Sequence, residues 1–166
     1  MAATVFALLG GVAGCGSRPG ATGAQGEIGS LVISRAAIIE PIGPTPAVLY
    51  FSVTNRGGER DALVAVTVAG TERSDLHRTV TRAGLAWMEP AREIAIPAGT
   101  TIDFVPGGNH VMVQGGAGHL RRGARIEVRL VFRRAGSLQV AAPVLAYREV
   151  DRLLAGGGRP GERGRD

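Results

Sequence analysis

The 166-residue chain is 45% hydrophobic, 20% charged and only 4% aromatic, with 26 Gly and 9 Pro, which fits one globular domain with flexible ends rather than two domains. Nineteen basic residues, all of them Arg, against fourteen acidic ones give a net charge of +5; they are spread along the chain and lack aromatic stacking partners, which excludes nucleic acid as the partner. Cys15 stands alone, so an internal disulfide, a thiolate zinc site and a blue-copper centre are all excluded from the folded body, and any soft ligand there must be Met.

In chain order, residues 2–13 form an apolar run of about a dozen residues, too short for the roughly twenty that a membrane-spanning helix needs. It reads as an export signal over residues 1–14. The run Val12-Ala13-Gly14-Cys15 resembles the end of a bacterial lipoprotein signal, in which small residues precede a Cys that is lipidated and becomes the mature N-terminus. No Lys or Arg precedes the apolar run, whereas secretory signals carry a positive start. A cleaved, soluble form with an incidental Cys is the alternative. Residues 15–29, rich in Gly, Ala, Ser and Thr, are expected to be a flexible tether with a reach on the order of 20 Å.

Residues 30–150 are expected to form the folded body. Gly-rich and Pro-rich turns recur at short intervals, as in Asn55-Arg56-Gly57-Gly58, Pro106-Gly107-Gly108 and Arg134-Ala135-Gly136. The runs between them predict strands at 31–40, 47–54, 61–69, 92–96, 101–105, 109–113, 125–132 and 137–145. The clearest is 125–132, where Ile126, Val128, Leu130 and Phe132 alternate with charged residues. Seven or eight strands without a sustained helical period predict an all-β fold, an antiparallel Greek-key β-sandwich. Residues 151–166, ending in Gly156-Gly157-Gly158-Arg159-Pro160-Gly161, are expected to be a disordered tail.

Apart from the initiator, the chain holds two Met and three His. In Asn109-His110-Val111-Met112-Val113 the strand period places His110 and Met112 on one face, a pair of donors suited to Cu(I), with Val111 and Val113 turned to the core. Read singly, each residue has an ordinary explanation. His77 fits a surface His beside Asp75, Met88 and Met112 fit gap-filling core side chains, and His110 fits a partner of a turn carbonyl. His119 reads as solvated, and Arg121, Arg122, Arg125, Arg133 and Arg134 as a solvated face, or else a docking surface for an acidic partner or anionic lipid.

The spacing His77-x10-Met88-x21-His110-x-Met112 resembles the metal motif of the periplasmic copper chaperone family PCuAC, over about residues 32–145. Ala47-Val-Leu-Tyr-Phe-Ser-Val-Thr-Asn55, Asp61-Ala-Leu63, Ile96-Pro97-Ala98-Gly99 and Gly107-Gly108-Asn109-His110 are similar to that family outside the ligands. Two features depart from the pattern: Gln114 follows the His-x-Met strand where an apolar residue is expected, and the tail lacks the extra His and Met of some members.

The resemblance implies a cupredoxin-like sandwich and a Cu(I) site made of His77, Met88, His110 and Met112. It also implies delivery of copper to the binuclear centre of cytochrome c oxidase subunit II, perhaps alongside a thiol-bearing assembly protein. With lipid on Cys15, the domain would sit at the outer face of the cytoplasmic membrane or in the periplasm. Four neutral ligands favour Cu(I) over Cu(II) and zinc, and both imidazoles must be deprotonated to bind, so affinity is expected to weaken as pH falls through roughly 6.5. No nucleophile elbow, His-Glu-x-x-His or phosphate loop is present, so the chain is not expected to be an enzyme. The other class that fits is a metal-free, lipid-anchored adhesion or scaffold sandwich.

Overall fold

A computed structural model describes residues 23–116 and 118–155. The expected export signal, the candidate lipidation residue Cys15, most of the expected tether and the end of the tail lie outside them.

The described residues form an all-β sandwich. The eight expected strands appear close to their expected bounds: β2 (Leu31–Ile39), β3 (Ala47–Asn55), β4 (Asp61–Val68), β7 (Ile94–Ile96), β8 (Thr101–Phe104), β9 (His110–Gln114), β10 (Arg125–Phe132) and β11 (Gly136–Leu145). Three further strands raise the count to eleven: β1 (Ala24–Ile28), β5 (Arg73–Arg82) and β6 (Leu85–Pro90). The hydrogen-bonded order runs β6-β5-β9-β3-β2-β11-β10-β4-β7, with β1 on β2 and β8 on β3. One pairing corrects the all-antiparallel expectation, since Val144 and Leu145 of β11 run parallel to Ile38 and Ile39 of β2.

Two boundaries also move. Residues 24–28, assigned to the tether, are a strand paired with β2. Residues 151–155, assigned to the tail, belong to a short helix α1 (Val150–Ala155) that buries Val150 and Leu153. Six residues of helix are too few to register as a period in the sequence.

The main core lies between the layers and is built from alternate strand residues such as Leu31, Ile33, Leu49, Val111, Val128 and Leu130, with Phe51 and Phe104 stacked at 4.1 Å between ring centroids. A bulge in β2 divides its two ends. Ser34 pairs with Ser52, but Ala37 pairs with Tyr50, so one extra residue is accommodated between them. Arg35 sits there with φ 59, in the left-handed region that non-glycine residues seldom enter. Side chains before the bulge face inward at Leu31 and Ile33; after it they face inward at Ala36 and Ile38. Ala37 and Ile39 are thereby turned outward, where they form a second small core with Tyr50, Leu145, Val150 and Leu153.

The Arg35 guanidinium holds the bulge in place through Ser52 Oγ, Asp103 Oδ1 (3.0 Å) and the Leu154 carbonyl (3.1 Å). Gly23 passes so close that an added Cβ would lie 2.3 Å from the Arg35 carbonyl carbon. Two residues of the resemblance outside the ligands are buried polar anchors. Asn55 donates to the Glu59 and Ile96 carbonyls. Asp61 accepts from the backbone N–H groups of Ala62, Arg134 and Ala135, fixing the β10–β11 turn.

Candidate metal centre

The candidate ligands lie on three adjacent strands, β6, β5 and β9. In register, His77 of β5 stands opposite His110 of β9, and Asp75 opposite Met112. On the other side of β5, Thr79 stands opposite Met88 and His77 opposite Pro90. Directly paired residues of antiparallel strands point to the same face. His77, Met88, His110 and Met112 therefore share one face, with Met88 and Met112 on the diagonals from His77. Leu76 and Val111 turn to the other face and are buried, as is Val113. Trp87 pairs with Val80 on that opposite face too, so it points away from Met88's side.

The two imidazole rings have centroids 5.6 Å apart and are tilted by 31°. With metal–nitrogen bonds of about 2 Å and the radius of each ring, two imidazoles sharing one ion have centroids up to roughly 6 Å apart. The pair fits one ion. Nδ1 of His77 is buried without a hydrogen-bond partner among the described residues, as befits an atom that a ligand completes. His110 is 6% exposed, and its Nδ1–H donates to the Gly108 carbonyl at 3.0 Å. The carbonyl can only accept, so Nδ1 carries the proton and Nε2 is left with its lone pair free. The turn-carbonyl bond thus coexists with a ligand role.

Burial holds the His77 imidazole below its ordinary pKa, and the neighbouring His110 and Arg73 push the same way against the attraction of Asp75. Asp75 is ion-paired to Arg73, Nε to Oδ2 at 2.7 Å, rather than bound to His77. Among the described residues no cluster of three His, Cys, Asp or Glu side chains could hold a metal. On this face the soft donors beside the two imidazoles are the thioethers of Met88 and Met112.

Met88, His110 and Met112 line a cavity of about 530 Å³ whose other walls are largely apolar, including Ile39, Val48 and Tyr50. His77 is not among the residues that line it. Ile42, Met88 and Tyr147, three exposed large apolar side chains, stand at this cavity. Met88 is 66% exposed on the edge strand. Sequence reasoning missed Thr79 and the Gly108 carbonyl, because a backbone acceptor leaves no mark on residue type.

The remaining candidates fall elsewhere. His119 is exposed, with its ring 3.4 Å from where a Cβ on Gly70 would stand. Gln114 lines a separate, more polar cleft with Pro41 and Glu72. Arg122, Arg133 and Arg134 are ion-paired with Glu149, Glu93 and Glu59, and Arg125 donates to the Ala141 carbonyl. No helix among the described residues is long and apolar enough to cross a membrane.

A family model for LpqE-like lipoproteins matches residues 31–144. Lxx21020 of Leifsonia xyli subsp. xyli, named as a lipoprotein, is 32% identical over 145 residues, covering 86% of this chain and 87% of its own. Among solved structures, the copper-bound PCuAC domain from PmoF2 is similar with a TM-score of 0.63 at 27% identity, over 74% of this chain and 97% of that domain. The apo PCuAC domain from PmoF1 gives the same TM-score and identity over 74% and 98%. Apo-DR1885 from Deinococcus radiodurans shares the fold, with a TM-score of 0.55 at 22% identity over 88% and 99%.

Proposed function

The chain belongs to the LpqE-like lipoprotein family, and from that premise we propose that it is a copper chaperone that binds Cu(I) through His77, Met88, His110 and Met112. The observation that carries the reading is the register of β6, β5 and β9, which gathers both imidazoles and both thioethers on one face. The copper-bound state of the PmoF2 domain supports it. Two imidazoles and two thioethers are neutral and soft, a set that suits Cu(I) and serves zinc or Cu(II) poorly.

The site suits transfer. Met88, exposed on an edge strand, is the ligand that an incoming donor can displace first, while His110 keeps hold from the buried side. The apolar surround gives a partner a surface to dock on. A carrier needs no more than this, so the reading is of a metallochaperone and not an enzyme.

The finer parts of the proposal concern place and destination. The lipoprotein description of the family and of the Leifsonia relative supports export and a lipid anchor at Cys15. Anchored there, the domain would hold its site outside the cytoplasmic membrane. It could then load the binuclear copper centre of cytochrome c oxidase subunit II, with a thiol-bearing assembly protein as a partner.

The test is X-ray absorption at the copper edge on Cu(I)-reconstituted protein, wild type against Met112→Leu. Two sulfur scatterers falling to one supports the ligand set. A spectrum unchanged by the substitution removes Met112 from it. Failure of Cu(I) to raise thermal stability under anaerobic conditions favours the metal-free scaffold instead, since a ligand that binds the folded state must stabilise it.

A further inference from the structure

β5 pairs with β9 from Arg73 to His77. Past His77 its register partners continue on β6, as far as Arg82 opposite Leu85. This half of the β5–β6 hairpin carries Met88, and β6 is exposed along nearly its whole length. Among the described residues one side-chain hydrogen bond ties it back to the body. Thr79, half-buried and opposite Met88, donates from Oγ1 to the Gly108 carbonyl at 3.2 Å. That same carbonyl accepts Nδ1–H of His110. With two lone pairs it can serve both donors.

We propose that Thr79 is a positioning residue for the site: its hydroxyl pins the Gly108 carbonyl against Nδ1 of His110, which reserves Nε2 for the ion, and holds the hairpin bearing Met88 beside it. The role rests on the reading of His110 and Met88 as copper ligands. Hydrogen bonds one step outside a metal's ligands fix ring orientation and tautomer, and losing one typically lowers affinity 10- to 100-fold. Neighbouring geometry fits the task. Gly107 takes φ 73, and the Gly108 N–H is held by the Val105 carbonyl at 3.0 Å. The turn is thus set from its own side and needs one outside contact to fix the carbonyl's direction.

The experiment compares wild type, Thr79→Val and Thr79→Ser in two measurements. Valine keeps the shape and the strand preference but lacks the hydroxyl; serine restores it. The first measurement is nitrogen-15 NMR of the His110 ring in metal-free protein, which reads the tautomer directly. The second is Cu(I) affinity by competition with a chromophoric chelator. Wild type should show the Nδ1–H tautomer. Thr79→Val should give mixed tautomers and bind Cu(I) about tenfold more weakly at an unchanged fold, and Thr79→Ser should recover both. A valine variant that keeps both the tautomer and the affinity overturns the inference and leaves the copper reading standing. So does one whose affinity falls equally in the serine variant with the tautomer unmoved. Thr79-dependent tautomers in a wild-type protein that takes up no Cu(I) instead defeat the copper reading, and with it any role of Thr79 toward the ion.

Discussion

His77 and His110 are register partners on neighbouring strands, and their rings stand 5.6 Å apart although 32 residues separate them along the chain. Two neutral imidazoles at that distance are tolerated. Two protonated ones would repel each other in a half-buried setting. Burial and His110 together lower the His77 pKa, which favours the neutral imidazole that can bind an ion.

The first prediction concerns acid. Burial, His110 and Arg73 lower the His77 pKa in the folded protein, with Asp75 opposing. In the window between that lowered value and the unfolded value of about 6.5, the unfolded chain binds the extra proton and the native chain does not. Metal-free stability contributed by His77 is therefore complete above about pH 6.5 and is lost as pH falls through the folded value. For binding, proton competition at His77 should set in below the free-imidazole range. Denaturant midpoints from pH 8 to 5, wild type against His77→Gln, should diverge on the alkaline side and converge in acid; parallel curves would refute the coupling.

The two methionines should separate stability from affinity. Met88 is 66% exposed, so Met88→Leu should change folding stability by no more than about 0.5 kcal/mol. Met112→Leu, a near volume-conserving change in the cavity wall, should cost less than about 1.5 kcal/mol. Both should weaken Cu(I) binding by at least tenfold, measured by chelator competition. Unaltered affinity in Met88→Leu would reduce the site to three ligands.

Asp61 is expected to be a stability determinant remote from the metal face. Burial alone would raise its carboxyl pKa, but three backbone N–H groups and the Arg134 guanidinium hold it below the ordinary value. Asp61→Ala leaves the Arg134 and Ala135 N–H groups without their acceptor and should cost about 2–3 kcal/mol. Because the folded pKa is depressed, this contribution is present above the ordinary carboxylate range and disappears as pH falls through the folded value. Chemical denaturation at pH 7 and pH 3 checks both points, Cu(I) affinity at neutral pH remaining at the wild-type level.

Arg35 offers a paired test of strain against contact. Arg35→Ala removes the bonds to Ser52, Asp103 and the Leu154 carbonyl and should cost about 2 kcal/mol. Arg35→Gly removes the same bonds but adopts φ 59 freely, so it should be more stable than the alanine variant by about 1 kcal/mol. The order of the two melting temperatures decides it.

Eight strands were legible in the sequence because each lays one face on the core, as Val128, Leu130 and Phe132 do along β10. β5 and β6 were not. In β5 only Leu76 is buried, and β6 buries nothing, so neither carries an alternation for the eye to catch. These are the strands that present His77 and Met88. The four ligand candidates could be named from spacing and a family likeness, whereas their common face follows from pairings between residues far apart in sequence, which spacing does not encode. The β2 bulge was invisible for a similar reason: Leu31 to Ile39 is apolar on both faces around Ser34 and Arg35, so a change of phase leaves the pattern unaltered.

That change of phase couples the cavity to α1, because Ile39 and Tyr50 line the one and pack against Val150 and Leu153 of the other. Removing one residue at Arg35 would rotate the distal half of β2 by half a turn, sending Ile38 out to the cavity and Ile39 into the sandwich. A deletion of a single codon there would rebuild the wall of the cavity and unseat α1 without touching any proposed ligand. Length at this point of the chain is thus under tighter constraint than the identity of the residues around it.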